Sequence, residues 1–145
     1  MHLMLAALLA GVVFSLPVAD HVMRVDHPAG VVDARYQGRI AVAFRQVGAA
    51  SPGGRPSTLR CHWRADLAVD RIATLSTGTA TRSFGRDGVF AGTRPGWCET
   101  SRAAIARDVA ARADEVHGHL RALAREDHAP LRADLDRLHA VGRAG

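Results

Sequence analysis

The sequence contains no lysine and no asparagine, so all nineteen of its basic residues are arginine. It therefore cannot form the lysine-dependent phosphate loop G-x-x-x-x-G-K-[ST], and the nucleophile turn G-x-S-x-G is also missing. These absences exclude the hydrolase classes that such short motifs identify. A hydrolase-like enzyme whose site is assembled from scattered residues remains the alternative to a binding protein.

Aromatic residues make up only 5% of the chain, so the core must be packed mainly with Val, Leu, Ile and Ala. Few rings are left on which nucleic-acid bases could stack. Tyr36 is the only tyrosine, and Trp63 is expected to face inward. Nucleic acid is therefore not the expected partner.

Metal-binding motifs are also missing, although the chain has eight histidines. There is no HExxH and no Cys-x-x-Cys. His117 and His119 are two residues apart in a predicted helix, about 200° around its axis, so they cannot share one ion. We expect solvated surface histidines, no metal and no cofactor.

The chain has two cysteines, Cys61 and Cys98, which we predict to form a disulfide. This bond would join the central strand of the fold to the start of the first long helix. The alternative of a reactive thiol is disfavoured, because His62 is adjacent to Cys61 in a strand and points to the opposite face.

The N-terminal segment Leu3–Val18 is almost wholly apolar, and Asp20 is the first charged residue. We predict that residues 1–19 are a signal peptide cleaved around Ser15–Ala19; an uncleaved anchor is the alternative. Cleavage would leave no stable membrane span. The predicted location is periplasmic or secreted.

The segment Thr58–Val69 has the clearest pattern in the chain. Apolar residues fall on one parity and polar residues on the other, which predicts a strand with one buried and one solvated face. The predicted buried positions include Cys61 and Trp63.

Shorter alternating runs surround this strand, separated by residues typical of turns. Val31–Tyr36 and Arg39–Val47 are predicted to form a hairpin around Gln37-Gly38, and Asp87-Gly88 a second hairpin turn. Residues 20–98 are thus expected to form an antiparallel sheet of five to seven short strands.

From Thr100 the apolar residues recur at helical spacing. We predict one helix of about 25 residues, a break around Asp127–Pro130 and a shorter second helix. Residues 99–145 would form a helical hairpin on the sheet. The predicted fold is a single α+β domain.

The positive charge is concentrated in the strand-rich half of the chain. Eleven arginines and six acids occur between Asp20 and Cys98, whereas eight of each occur from Glu99 onward. We predict a basic sheet face formed by Arg45, Arg60, His62 and Arg64. The expected function is that of a binding or envelope-associated structural module, whose partner is an envelope polyanion or another protein.

Overall fold

The computed structural model describes residues 14–53 and 57–144. Most of the predicted signal peptide, residues 1–13, lies outside the described residues. Residues 14–19 form the start of the first strand.

The described residues form one antiparallel sheet of four strands in the order β1-β2-β3-β4. The strands are β1 (Phe14–His27), β2 (Gly30–Val47), β3 (Arg60–Leu75) and β4 (Gly78–Pro95). The predicted antiparallel sheet is confirmed. The expectation of five to seven short strands is wrong, because two of the predicted turns lie inside long strands.

The first of these turns, Gln37-Gly38, is part of the continuous strand β2. Gly38 is buried there, and a Cβ at this position would lie only 3.2 Å from a methyl group of Leu67 and 3.4 Å from one of Leu120. The glycine therefore permits a helix to approach the sheet closely.

The second predicted turn, Asp87-Gly88, lies in a bulge of β4. Leu67 pairs with Arg86 and Ala65 with Phe90, so three residues of β4 lie opposite the single residue Asp66. Gly88 has a φ of 62°, which its lack of a side chain allows, and its N–H donates to Asp66 at 2.7 Å.

Three helices follow in the described part of the chain: α1 (Cys98–Ala110), α2 (Ala113–Glu126) and α3 (His128–Ala144). The predicted two-helix hairpin is wrong because the long helix is interrupted at residues 111–112. A single 25-residue helix would extend about 38 Å in one direction. The interruption instead turns the chain from α1, which contacts β3, to α2, which packs mainly along β1.

All three helices lie on one face of the sheet, so the α+β architecture is confirmed. The alternation predicted for β3 is present: Cys61, Trp63, Ala65, Leu67 and Val69 are buried beneath the helices. We call the opposite side of the sheet the open face. No helix in the described ranges is long and apolar enough to span a membrane.

The predicted disulfide between Cys61 and Cys98 is present, with a Cα–Cα distance of 4.8 Å. It joins the first turn of α1 to β3. Gln46 strengthens the same junction, because its amide donates to the carbonyls of Arg60 and Gly96 and its oxygen accepts from the Cys98 N–H at 2.6 Å.

Replacing both cysteines, as Cys61→Ala with Cys98→Ala, should lower the free energy of unfolding by about 4 kcal/mol, because the bond closes a long loop in the unfolded chain. The sequence separation of the two cysteines is 37 residues. Urea denaturation of the variant and of the reduced wild-type chain measures this loss. A loss below about 1 kcal/mol in both would contradict the chain-entropy explanation.

Candidate functional site

The four residues predicted to form a basic surface project from the open face, away from the helices. We call Arg45, Arg60, His62 and Arg64 together the basic end. The antiparallel register places Arg45 directly opposite His62, with Arg60 and Arg64 two residues to either side along β3. Neighbouring strands are about 4.8 Å apart and alternate residues of a strand about 7 Å, so the four side chains share one compact patch.

Two of the four side chains have polar partners on the open face. The Nε of Arg64 lies 2.9 Å from Oδ1 of Asp66, and Nδ1 of His62 lies 2.9 Å from Oγ1 of Thr93. Arg60 donates to the carbonyl of Leu59 at 3.0 Å. Neither Arg45 nor Arg60 has an ion-pair partner among the described residues, so the patch retains excess positive charge.

The rest of the open face is close to neutral. Arg39 pairs with Asp70 at 2.9 Å, and Arg24 with Asp33 at 3.4 Å. The residues of the strands that are in regular register present six arginines and five aspartates on this face: Arg24, Arg35, Arg39, Arg45, Arg60 and Arg64 against Asp20, Asp26, Asp33, Asp66 and Asp70. Asp87 is exposed in the bulge of β4 and is not included in this count. The small surplus is therefore located at the basic end.

The positive excess of the strand-rich half is only partly on the open face. Four arginines project toward the helices and form ion pairs there: Arg71 and Arg82 with Asp127, Arg86 with Glu126, and Arg94 with Asp108. These pairs neutralise helix carboxylates, which leaves arginines on the outer helix surface without those counter-ions. The sequence count therefore overstates the charge on the sheet surface.

A buried polar cluster, which was not predicted, joins the sheet to the helices. Arg71 and Tyr36 are fully buried and Asp127 is 1% exposed. The Asp127 carboxylate accepts from Nε of Arg71 at 2.8 Å, from the Tyr36 hydroxyl at 2.8 Å and from Nη1 of Arg82 at 2.5 Å. Arg71 also donates to Asp134 at 3.0 Å, and Arg137 pairs with the other oxygen of Asp134.

The shifts in pKa within this cluster follow from these contacts. Burial alone would raise the pKa of Asp127, but hydrogen bonds from Arg71, Arg82 and Tyr36 outweigh it and hold the pKa below its ordinary value. Burial, followed by the hydrogen bond to Asp127, raises the pKa of Tyr36. The cluster therefore contains an ionised carboxylate and a neutral phenol, and their burial beneath the helices indicates a structural role.

A signal for this cluster was present in the sequence. Arg71 follows Val69 on the buried parity of β3, where a charged residue requires a partner. Asp127 lies at the break before Pro130 and gives no local sign of burial. Periodicity could thus have identified the arginine but not the carboxylate that binds it.

The expectation that the histidines are solvated is wrong for His27. The side chain of His27 is fully buried; its Nε2 lies 2.7 Å from Oδ1 of Asp136, and its Nδ1 accepts the N–H of Ala29 at 3.1 Å. This arrangement places the proton on Nε2 and links the β1–β2 turn to α3. Within residues 14–53 and 57–144, no three His, Cys, Asp or Glu side chains are grouped so that they could hold a metal ion.

No family model, no curated protein and no solved structure matches this chain. The buried Tyr36–Arg71–Asp127 cluster is closed off by the helices, so this cluster gives the hydrolase-like alternative no support.

The variant Asp127→Asn should lower the free energy of unfolding at pH 7 by about 3 to 5 kcal/mol, because it leaves the Arg71 charge buried without a counter-ion. The folded pKa of Asp127 is depressed, so its stabilisation is present above the unfolded pKa, about 4, and is lost as the pH falls through the folded value. Denaturation at pH 7 and at about pH 3 should therefore show the difference between wild type and variant shrinking in acid.

The matched control is Asp114→Asn, which removes a charge from the exposed first turn of α2, the helix that ends just before Asp127. It should cost less than about 1 kcal/mol at pH 7. Equal losses in the two variants, or a loss at Asp127 that does not depend on pH, would contradict the assigned role of the cluster.

Proposed function

We propose that this protein is an exported, disulfide-stabilised binding module that holds a polyanion of the cell envelope at the basic end of its open sheet face. The proposal rests on one observation. The register of β2 and β3 places Arg45, Arg60, His62 and Arg64 in one patch, in which Asp66 pairs with Arg64. Their position on the face opposite the helices leaves them accessible to a large ligand.

The spacing of the arginines favours a polymer over a single small anion. Arg60 and Arg64 are four residues apart on β3, which separates them by about 13 Å. A phosphorylated or carboxylated polymer, or an acidic glycan, presents repeated charges over such a distance. From Asp20 to Pro95, no Phe, Tyr or Trp of the described strands projects on the open face, so a base-stacking surface is missing there.

Two features support the proposal of export. The Cys61–Cys98 disulfide is typical of proteins that fold in an oxidising compartment. In addition, the register of β1 shifts between Pro17 and Ala19, and pairing with β2 resumes at Ala19 opposite Gly38. A cut around Ser15–Ala19 would fall at this irregularity and leave the pairs from Asp20 opposite Gln37 to His27 opposite Gly30 in the mature chain.

The double variant Arg45→Ala with Arg60→Ala should weaken binding to an acidic envelope polymer by about twentyfold at low salt, because both unpaired charges of the basic end are lost. Wild-type affinity should itself fall steeply between 0.01 M and 0.15 M salt, as the screening length decreases from about 30 Å to about 8 Å. Calorimetric titration with a purified anionic polymer measures both effects.

The matched control is Arg35→Ala, which removes an unpaired arginine about 34 Å away along β2 on the same face. The affinity of the Arg35→Ala variant for the anionic polymer should stay close to that of wild type. Equal weakening by Arg35→Ala would assign binding to net charge and overturn the proposed site. Salt-independent binding would instead favour the alternative of a protein partner.

The intact mass of the chain, purified from an envelope fraction of a native-type host, tests the proposal of export. We expect loss of the first fifteen to nineteen residues and two cysteines that resist alkylation until reduced, because cleavage and oxidation both accompany export. A full-length chain with two reactive thiols would contradict export and leave the polyanion proposal to be judged by the arginine variants alone.

A further inference from the structure

We infer that Trp97 completes the basic end and that the ligand of this site is an acidic polysaccharide, a polymer whose anionic groups are carried on sugar rings. The arginines of the basic end bind the anionic groups, and the indole of Trp97 stacks on the apolar face of a sugar ring. The inference rests on the proposed function and names the class of polymer that the same site takes.

Trp97 lies beside the basic end because the backbone before it is tied to the start of β3. The N–H of Gly96 donates to the carbonyl of Leu59 at 3.0 Å. The side-chain amide of Gln46 donates to the carbonyls of Gly96 and Arg60, each at 3.1 Å, and so holds these two groups together. Trp97 follows Gly96 directly, which places its backbone next to that of Arg60.

The backbone of Trp97 is held in place, but its side chain is not buried. Trp97 has an extended backbone just before α1, and the next residue, Cys98, is fixed to β3 by the disulfide. Trp97 is 52% exposed, whereas Trp63 is only 7% exposed. A ligand that covers the indole therefore gains a large apolar contact at little cost in conformational entropy.

An acidic polysaccharide presents the two kinds of group that this surface can bind. Its anionic groups accept charge-assisted hydrogen bonds from guanidinium groups. The C–H groups on the face of a sugar ring carry small positive partial charges, which are attracted to the negative face of an indole. Because the backbones of Arg60 and Trp97 are adjacent, one short stretch of the polymer contacts both side chains.

A membrane surface fits this arrangement less well. Peripheral binding to lipid buries several apolar side chains together. Within residues 19–53 and 57–144, however, the other large apolar residues that are exposed lie at the far end of the open face or on α3: Val22, Val31, Ile72 and Val141. A single aromatic ring beside the arginines therefore favours stacking on a ligand over insertion into a bilayer.

Single-stranded nucleic acid also fits less well, because it stacks successive bases on several aromatic rings. From Asp20 onward, Trp97 is the one exposed Phe, Tyr or Trp in the part of the chain that the structure describes. One ring provides a stacking position for one sugar unit, while the neighbouring units are held through their charges.

Titration of the full, disulfide-bonded chain with polygalacturonate and with inorganic polyphosphate tests the inference, because only the first polymer carries its charges on sugar rings. Trp97→Ala should weaken binding to polygalacturonate by about tenfold, since the stacking contact is lost. The same variant should change the affinity for polyphosphate by less than about twofold. Calorimetry at low salt measures both affinities.

The matched control is Val141→Ala, which removes an exposed apolar side chain from α3 and should leave both affinities unchanged. Trp97→Phe keeps an aromatic ring and should retain most of the affinity for polygalacturonate. The inference is overturned if Trp97→Ala weakens binding to both polymers equally, or if it binds polygalacturonate as tightly as Val141→Ala does.

The double variant Arg45→Ala with Arg60→Ala separates failure of the inference from failure of the proposed function. It should weaken binding to both polymers, because both are held through their charges. If it weakens neither, the proposed function fails and the inference fails with it. If it weakens both but Trp97→Ala does not distinguish the polymers, only the inference fails.

Fluorescence of the wild-type chain provides a test that does not depend on the folding of a variant. The chain has two tryptophans, and because Trp63 is buried, acrylamide should quench mainly the emission of Trp97. Saturating polygalacturonate should reduce this quenching by about twofold, because the sugar ring covers the indole, whereas polyphosphate should leave it unchanged. Quenching that polygalacturonate does not reduce would overturn the stacking contact.

Two further probes represent the other anionic partners. A single-stranded oligothymidylate presents bases for stacking, and vesicles of phosphatidylglycerol present an anionic lipid surface. We expect binding to both that is weaker than binding to polygalacturonate and that Trp97→Ala does not change. Tighter, Trp97-dependent binding to either probe would overturn the assignment of the site to a polysaccharide.

Discussion

The carboxylate of Asp127 is the point on which the arrangement of sheet and helices depends. Tyr36 from β2, Arg71 from β3 and Arg82 from β4 all donate to it, and it lies at the junction of α2 and α3. Burying these charges has a large desolvation cost, which is offset because each carboxylate oxygen accepts hydrogen bonds. One side chain thus fixes three strands relative to two helices.

The same cross-layer pairing determines where positive charge remains on the surface. Arginines of the strands bind Asp127, Glu126 and Asp108 of the helical region, so these acids no longer balance the arginines of their own helices. The sheet consequently keeps a surplus only at the basic end. A second surplus appears along α2 at Arg121 and Arg125, in a part of the sequence whose formal charge is zero.

Local patterns predicted part of this structure well. Strict alternation identified β3 and its buried residues, and the two cysteines identified the disulfide. The turns assigned to Gln37-Gly38 and Asp87-Gly88 were wrong because glycine serves other purposes there: close packing against Leu120 in one case and a bulge in the other. The buried cluster around Asp127 depends on long-range pairing with Tyr36, Arg71 and Arg82, which no local pattern reveals.

The edges of the sheet disfavour recognition of a partner by addition of a strand. Both β1 and β4 are long edge strands, which are natural templates for pairing with another chain. The register of β1 is interrupted at Pro17/Ala19, and β4 is interrupted by its bulge and ends at Pro95. Because bulges and prolines disfavour continuous pairing, the side chains of the basic end, and not the strand edges, form the surface that we propose for binding.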